Sequence, residues 1–359
     1  MSELRVDRLP NGITVASERI PHLESVSVGF WFKAGARNER AAEHGIAHLL
    51  EHMAFKGTSR RSAEQIAVDI ENVGGEINAA TSTENTSYFA RVLKDDLPLA
   101  VDILCDILTD SVFDTDELER EKHVILQEIG AAHDTPDDVV FDRFTEQAWL
   151  NQTVGRSILG TPDSVRAISS DELRRFVARE YFGERMVIVA AGNVDHDALV
   201  RMISDKLGSM PRTSGAPTLI TPARYTGGEF REARDLVDAQ IVLGFEGKAN
   251  LARDFYASQV LAMLMGGGMS SRLFQEVREK RGLVYSIYTF AAPYSDGGLF
   301  GIYAGTGEDD LRVRAGREEP ADVGARRDGR GVRARSRCGL LQRGCPQDRR
   351  RREKQDATA

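Results

Sequence analysis

The chain has 359 residues, of which 28% are charged and 41% belong to the hydrophobic set, and it carries a formal net charge of −8. That length is too great for one ordinary core and predicts about two domains, while the composition excludes a fibre or a chain disordered throughout. The longest apolar runs, Val187 to Ala191 and Val260 to Met265 among them, fall far short of the ~20 residues that cross a bilayer, so no membrane partner is expected.

The first residues run straight into a strand-like segment without a basic, apolar leader, which predicts a cytoplasmic protein, or one of the mitochondrial matrix if a transit peptide has been removed. Alternation around Asn11-Gly12 reads as a hairpin leading into a buried strand from Ser25 to Phe32. The pattern turns helical from Ala41 to about Phe55, closed by Gly57, and again from Ser62 to Val73. After Gly74-Gly75 come two strands, Glu76 to Thr81 and Thr86 to Val92. Amphipathic helices follow at Leu97 to Leu108 and from Asp116 to about Ala132, the latter capped by Asp114 or Thr115. A helix from Asp171 to Tyr181 and a central strand from Met186 complete the first half. Helices alternating irregularly with antiparallel-type strands predict an α+β fold.

From Ser209 to Arg224 the composition shifts to Pro, Ser, Thr and Gly, as in a linker. The order then begins again, with a strand at Ala239 to Gly247, a helix at Asp254 to Met265, and a strand pair at Leu283 to Phe290 and Gly298 to Ala304. The expected organisation is a first domain over 1–212, a linker over 213–224, a similar but partial second domain over 225–311, and a tail over 312–359. The cysteines, Cys105, Cys338 and Cys345, are odd in number and scattered. They fit neither a disulfide framework nor a thiolate metal site.

The chemistry concentrates in His48-x-x-Glu51-His52. On a helix at about 100° per residue, His52 lies about 40° round from His48 and Glu51 about 60° to the other side, so all three share one face. Two imidazoles one turn apart can hold a Zn²⁺ at ~2.0–2.1 Å, and a Glu between them is placed as general base toward a water. Alone, such a pattern is more often the polar face of a helix or a set of satisfied core histidines. Three of the seven histidines fall within nine residues, however, and a carboxylate-rich helix lies downstream. His44, one turn earlier, lacks a Glu at the matching offset and reads as a supporting or exposed residue.

The segment His44-Gly-Ile-Ala-His-Leu-Leu-Glu-His-Met-Ala-Phe-Lys-Gly-Thr58 resembles the signature of the pitrilysin family, in the branch of the mitochondrial processing peptidase and its bacterial relatives. The resemblance spans roughly residues 5–305 and implies a zinc metalloendopeptidase acting on extended peptides. It makes Glu128 the third metal ligand, with His48 and His52, and Glu121 the acid that orients the site. It assigns Glu76 to Thr81 as the edge strand to which substrate adds, through Asn78 and Ala79. It makes Arg278 a holder of substrate carbonyls and Tyr285 the oxyanion donor; read by themselves, these two are an exposed helix arginine and a core tyrosine. It also implies two homologous α+β domains facing each other across a chamber, each a mainly antiparallel sheet packed with helices. As partners besides peptides it leaves open a second copy of the chain or a related non-catalytic subunit, and this chain as such a subunit is the rival reading.

Residues 312–359 depart from the family pattern. They carry 15 Lys+Arg against 7 Asp+Glu and no aromatic residue, which leaves the body at −16, a charge that suits basic peptides. The Arg/Gly-rich text from Arg326 to Arg335 reads as coding sequence translated out of frame, and the segment is expected to be disordered and the second domain incomplete. An arginine-rich arm could bind nucleic acid, but without an aromatic platform no nucleic-acid partner is expected.

Overall fold

The computed structural model describes residues 3–215, 220–307 and 338–343, the last as backbone only. In chain order the elements are β1 (Glu3–Arg8), β2 (Thr14–Arg19), β3 (Ser25–Phe32), α1 (Ile46–Ala54), α2 (Ala63–Glu71), β4 (Glu76–Thr81), β5 (Thr86–Leu93), α3 (Leu97–Thr109), α4 (Thr115–Asp134), α5 (Pro136–Ala148), α6 (Pro162–Ala167), α7 (Ser170–Glu180), β6 (Met186–Gly192) and α8 (His196–Leu207). Then come β7 (Gly228–Ala233), β8 (Asp238–Glu246), α9 (Phe255–Gly266), a π-helical turn over Phe274–Glu279, β9 (Ser286–Pro293), β10 (Gly298–Gly307) and β11 (Cys338–Arg343). The chain divides into two compact units, one of residues 1–131 and 156–221, the other of residues 132–155 and 222–359.

The first unit holds a six-stranded sheet in the order β1-β2-β6-β3-β5-β4. Only the β2–β6 pair is parallel. Alternation puts Val26, Val28, Phe30 and Phe32 of β3, Tyr88, Ala90 and Val92 of β5, and Ile188 and Ala190 of β6 on one buried face. Against that face lie Ile46, Leu49, Leu50 and Met53 of α1 and the apolar stripe of α3. Each large aliphatic side chain removed from water there contributes about 1.5–3 kcal/mol. A Ser17–His196–Asp7 chain, with Ser17 Oγ 2.8 Å from Nδ1 and Asp7 Oδ2 3.1 Å from Nε2, ties β1, β2 and α8 together. Ser17 is 1% exposed, so this hydroxyl is closed to any substrate and the chain is a structural tie.

The second unit has the sheet order β7-β11-β8-β10-β9, with β7–β11 parallel and the other pairs antiparallel. That repeats, strand for strand, the directions of β2-β6-β3-β5-β4. Two helical elements, α9 and the π-helical turn, separate β8 from β9 just as α1 and α2 separate β3 from β4. The duplication expected from the sequence is therefore a duplication of topology, in an α+β fold of mainly antiparallel sheets.

Three readings change. Residues 132–155, placed by linear reading in a first domain ending at 212, belong to the second unit, because Val140, Phe144, Ala148 and Trp149 pack with Val242, Leu299 and Tyr303. Gly244 makes room for this, since a Cβ there would lie 2.0 Å from the Phe144 ring. The helix expected from Ala41 begins only at Ile46, because Gly45 takes the left-handed φ of 93° and leaves Ala41–Glu43 as a 3-10 turn. Within the tail expected to be disordered, Cys338–Arg343 forms β11, hydrogen-bonded between β7 and β8. The rest of that tail call, and residues 216–219 of the linker, lie outside the described residues. The cap left open at α4 is Asp114, whose Oδ1 accepts from the amides of Asp116 and Glu117.

Candidate metal centre

Helix α1 carries one buried face, and its opposite face presents His48, Glu51 and His52, all half-buried. The loop after it is clamped to α3, where Asp106 accepts from Thr58 Oγ1 at 2.8 Å and from Arg61 Nη1 at 2.9 Å, and Asp102 from Arg61 Nη2 at 2.6 Å. Helix α4 buries Leu118 and Ile125, which sets Glu121 and Glu128, seven residues apart, along one side.

These helices bring together the residues that the resemblance picks out. Glu128 Oε2 lies 3.6 Å from His48 Nε2, and its Oε1 lies 3.8 Å from His52 Nε2. One donor atom from each of the three falls within 4.8 Å of the others. Donors on a tetrahedral zinc stand about 3.4 Å apart, from bonds of ~2.0–2.1 Å, so the three residues, with donor atoms within 4.8 Å of one another, close on an ion by side-chain adjustments of about 1 Å. Two imidazoles and a carboxylate are also a donor set that zinc takes. The group therefore fits the ion.

Around it the two histidines differ. His52 Nδ1 is 2.9 Å from Glu121 Oε2, and Glu121 Oε1 also takes the Lys56 ammonium. Burial pushes the Glu121 carboxyl up, but the hydrogen bonds from Lys56 and His52 outweigh it and leave it below the usual range. An ionised Glu121 can only accept, so His52 Nδ1 is the donor of that bond, and Nε2 is the nitrogen that faces Glu128. Among the described residues His48 Nδ1 is buried with no hydrogen-bond partner. Burial, then the neighbouring His52, lowers the His48 pKa against the pull of Glu128, favouring the neutral imidazole that offers a lone pair. Glu51 stands near the buried Tyr88 and Tyr181 phenols, whose hydroxyls are 3.1 Å apart; burial, helped by the Glu51 charge, holds both protonated, Tyr181 up to about 12.

His44 belongs to another contact, its Nε2 being 2.7 Å from the Ser157 carbonyl. Asn78 and Ala79 lie on β4, an edge of the first sheet, and the Ala79 amide donates to Asn78 Oδ1 at 2.8 Å. In the second unit the Arg278 guanidinium lies 4.7 Å from the Phe274 ring centre and 5.5 Å from that of Tyr285. Tyr285 is 82% exposed just ahead of β9, which rules out the core role that its neighbours suggested. Two residues were missed by sequence reasoning. Lys56, one turn beyond His52, was available from helical spacing; Glu39, which accepts from the amides at the start of α1, was not.

A mixed fold of duplicated topology with an inverted His-x-x-Glu-His centre defines a class of metallopeptidase. Residues 14–162 match the insulinase family, peptidase family M16, and residues 167–316 match the peptidase M16 inactive domain. An uncharacterized zinc protease of Rickettsia bellii is 42% identical over 312 residues, covering 86% of this chain and 75% of that protein. The uncharacterized zinc protease YmxG of Bacillus subtilis is 39% identical over 302 residues, covering 84% and 73%. A protease from Helicobacter pylori shares the fold, with a TM-score of 0.80 at 22% identity over 85% of this chain and 75% of its own. The chain belongs to peptidase family M16.

Proposed function

We propose that the chain is a zinc-dependent endopeptidase that hydrolyses extended peptides. The observation that carries this reading is the convergence of His48 Nε2, His52 Nε2 and the Glu128 carboxylate, with Glu51 on the same helix face. Bound by those three residues, Zn²⁺ supplies a Lewis acid that polarises a carbonyl and acidifies water. Glu51 takes up the proton of the attacking water and returns it to the leaving amine. Glu121 and Lys56 hold His52 in register throughout. Substrate adds along β4, which runs beside α1 through a 3.4 Å contact from Thr81 Oγ1 to the Ala47 carbonyl. There the Ala79 amide exchanges its bond to Asn78 for a substrate carbonyl. We assign the exposed Tyr285 hydroxyl to the oxyanion and Arg278 to substrate carbonyls.

The test is hydrolysis of a quenched fluorescent peptide with and without a chelator, by the native chain and by Glu51→Gln. The chelator should abolish cleavage and zinc restore it, while Glu51→Gln keeps its metal and loses on the order of 10²–10⁴-fold in rate. Cleavage indifferent to chelator, or a wild-type rate in Glu51→Gln, would sink the mechanism. Zinc bound without any cleavage would favour the rival reading of a non-catalytic subunit.

A further inference from the structure

The first turn of α1 is held from outside the helix. Gly45 precedes it at φ 93° and offers no side-chain cap, and a Cβ there would lie 2.9 Å from the Leu159 carbonyl and 3.0 Å from Gly160 Cα. The amides that begin the helix still need acceptors. Two amides there share one side chain: Gly45 N–H donates to Glu39 Oε2 and Ala47 N–H to Glu39 Oε1, each at 2.9 Å. Glu39 is 3% exposed and sits at the positive end of the helix, with the Arg156 charge acting on it favourably and that of Glu43 opposing. Glu43 is itself gripped by Arg179 at 3.0 and 2.7 Å.

What this grip controls follows from the contrast between the two histidines. Glu121 orients His52 through Nδ1, but His48 Nδ1 has no partner among the described residues. Besides the edge-on His52 ring, 4.7 Å away between centres, the His48 ring depends on the backbone that carries it, and His48 directly follows Ala47, whose amide Glu39 holds. We propose that Glu39 is the positioning residue for His48: by fixing the first turn of α1 it aims Nε2 at the metal position, as Glu121 does for His52. The inference rests on the metal centre proposed above.

The test uses the full chain stripped of metal, with Glu39→Ala, Glu39→Gln and, as a control, Leu199→Ala in the buried face of α8. Zinc affinity is read by competition with a chromophoric chelator, and ligand geometry by the visible spectrum after loading with Co²⁺. Glu39→Ala should weaken zinc on the order of 10–100-fold and alter the Co²⁺ spectrum. Glu39→Gln should fall between, since an amide oxygen accepts one N–H and its nitrogen none. Leu199→Ala should lower the melting temperature and leave the Co²⁺ spectrum as in the wild type. If Glu39→Ala does not fold, Glu39→Gln decides alone. Folded variants with wild-type affinity and spectrum overturn the role of Glu39 and leave the metal centre standing. A wild-type chain that takes up neither metal overturns both.

Discussion

Replacing Glu121 by Gln separates a ligand from the residue that aims one. The carboxylate receives two donors, His52 Nδ1 at 2.9 Å and the Lys56 ammonium, and its side chain is 9% exposed. Gln keeps the volume but offers a single acceptor oxygen, so either His52 or Lys56 is left facing an NH₂ group. Hydrogen bonds to charged groups are worth about 1.5–3 kcal/mol net. Lys56 is 30% exposed and recovers part of its loss from water, so the cost falls mainly on His52. At about 1.4 kcal/mol per decade this is roughly a ten- to hundredfold loss of zinc affinity. Chelator competition on the wild type and on Glu121→Gln measures it, and saturating zinc should restore most peptidase activity because the three ligands remain. Affinity within about twofold of wild type would refute the orienting role. Zinc binding lost altogether would make Glu121 a ligand instead.

Two further outcomes follow from the geometry. Tyr285→Phe should keep its metal and slow peptide hydrolysis on the order of 10²–10³-fold if the exposed hydroxyl serves the oxyanion; an unchanged rate would confine Tyr285 to stacking with Arg278. Burial pushes the Glu39 carboxyl up to about 8, against the amide bonds from Ala47 and Gly45 and the charge of Arg156. In the unfolded chain it titrates near ~4.3. Between these values the folded state binds the extra proton, so this contribution is complete below the lower one and declines as pH rises through about 8, by on the order of 5 kcal/mol at most. The melting temperature of the wild type should therefore fall relative to Glu39→Gln from pH 5 to 8, and parallel curves would contradict it.

The parts of the site legible in the sequence are those set by local spacing. His48, Glu51 and His52 fall on one face by helical geometry alone, whereas Glu121 and Glu128 are singled out by the family resemblance, and their interval of two turns only adds that they share a side of one helix. What the sequence concealed depends on residues far apart in the chain. The start of α1 looked like Ala41 because Ala and Glu favour a helix, yet Gly45, pressed against the Leu159–Gly160 backbone, moves it to Ile46. Glu39 looks like any surface acid until the fold buries it under that helix. Helix α5 has an ordinary amphipathic pattern, but nothing in its own residues tells that Phe144 will pack on Gly244, a hundred positions along. The duplication was visible as a repeated order of elements, while its strongest form, the repeated strand directions, exists only once the sheets are paired.

The central claim is that His48, His52 and Glu128 hold zinc, and its most direct test is the metal content of the purified chain. After dialysis against zinc and removal of the excess, elemental analysis should find a single zinc per chain in the wild type. His52→Ala and Glu128→Gln, treated identically, should fall far below that, since each removes one of only three protein ligands. A wild-type chain without zinc, or variants that retain the full amount, would contradict the account.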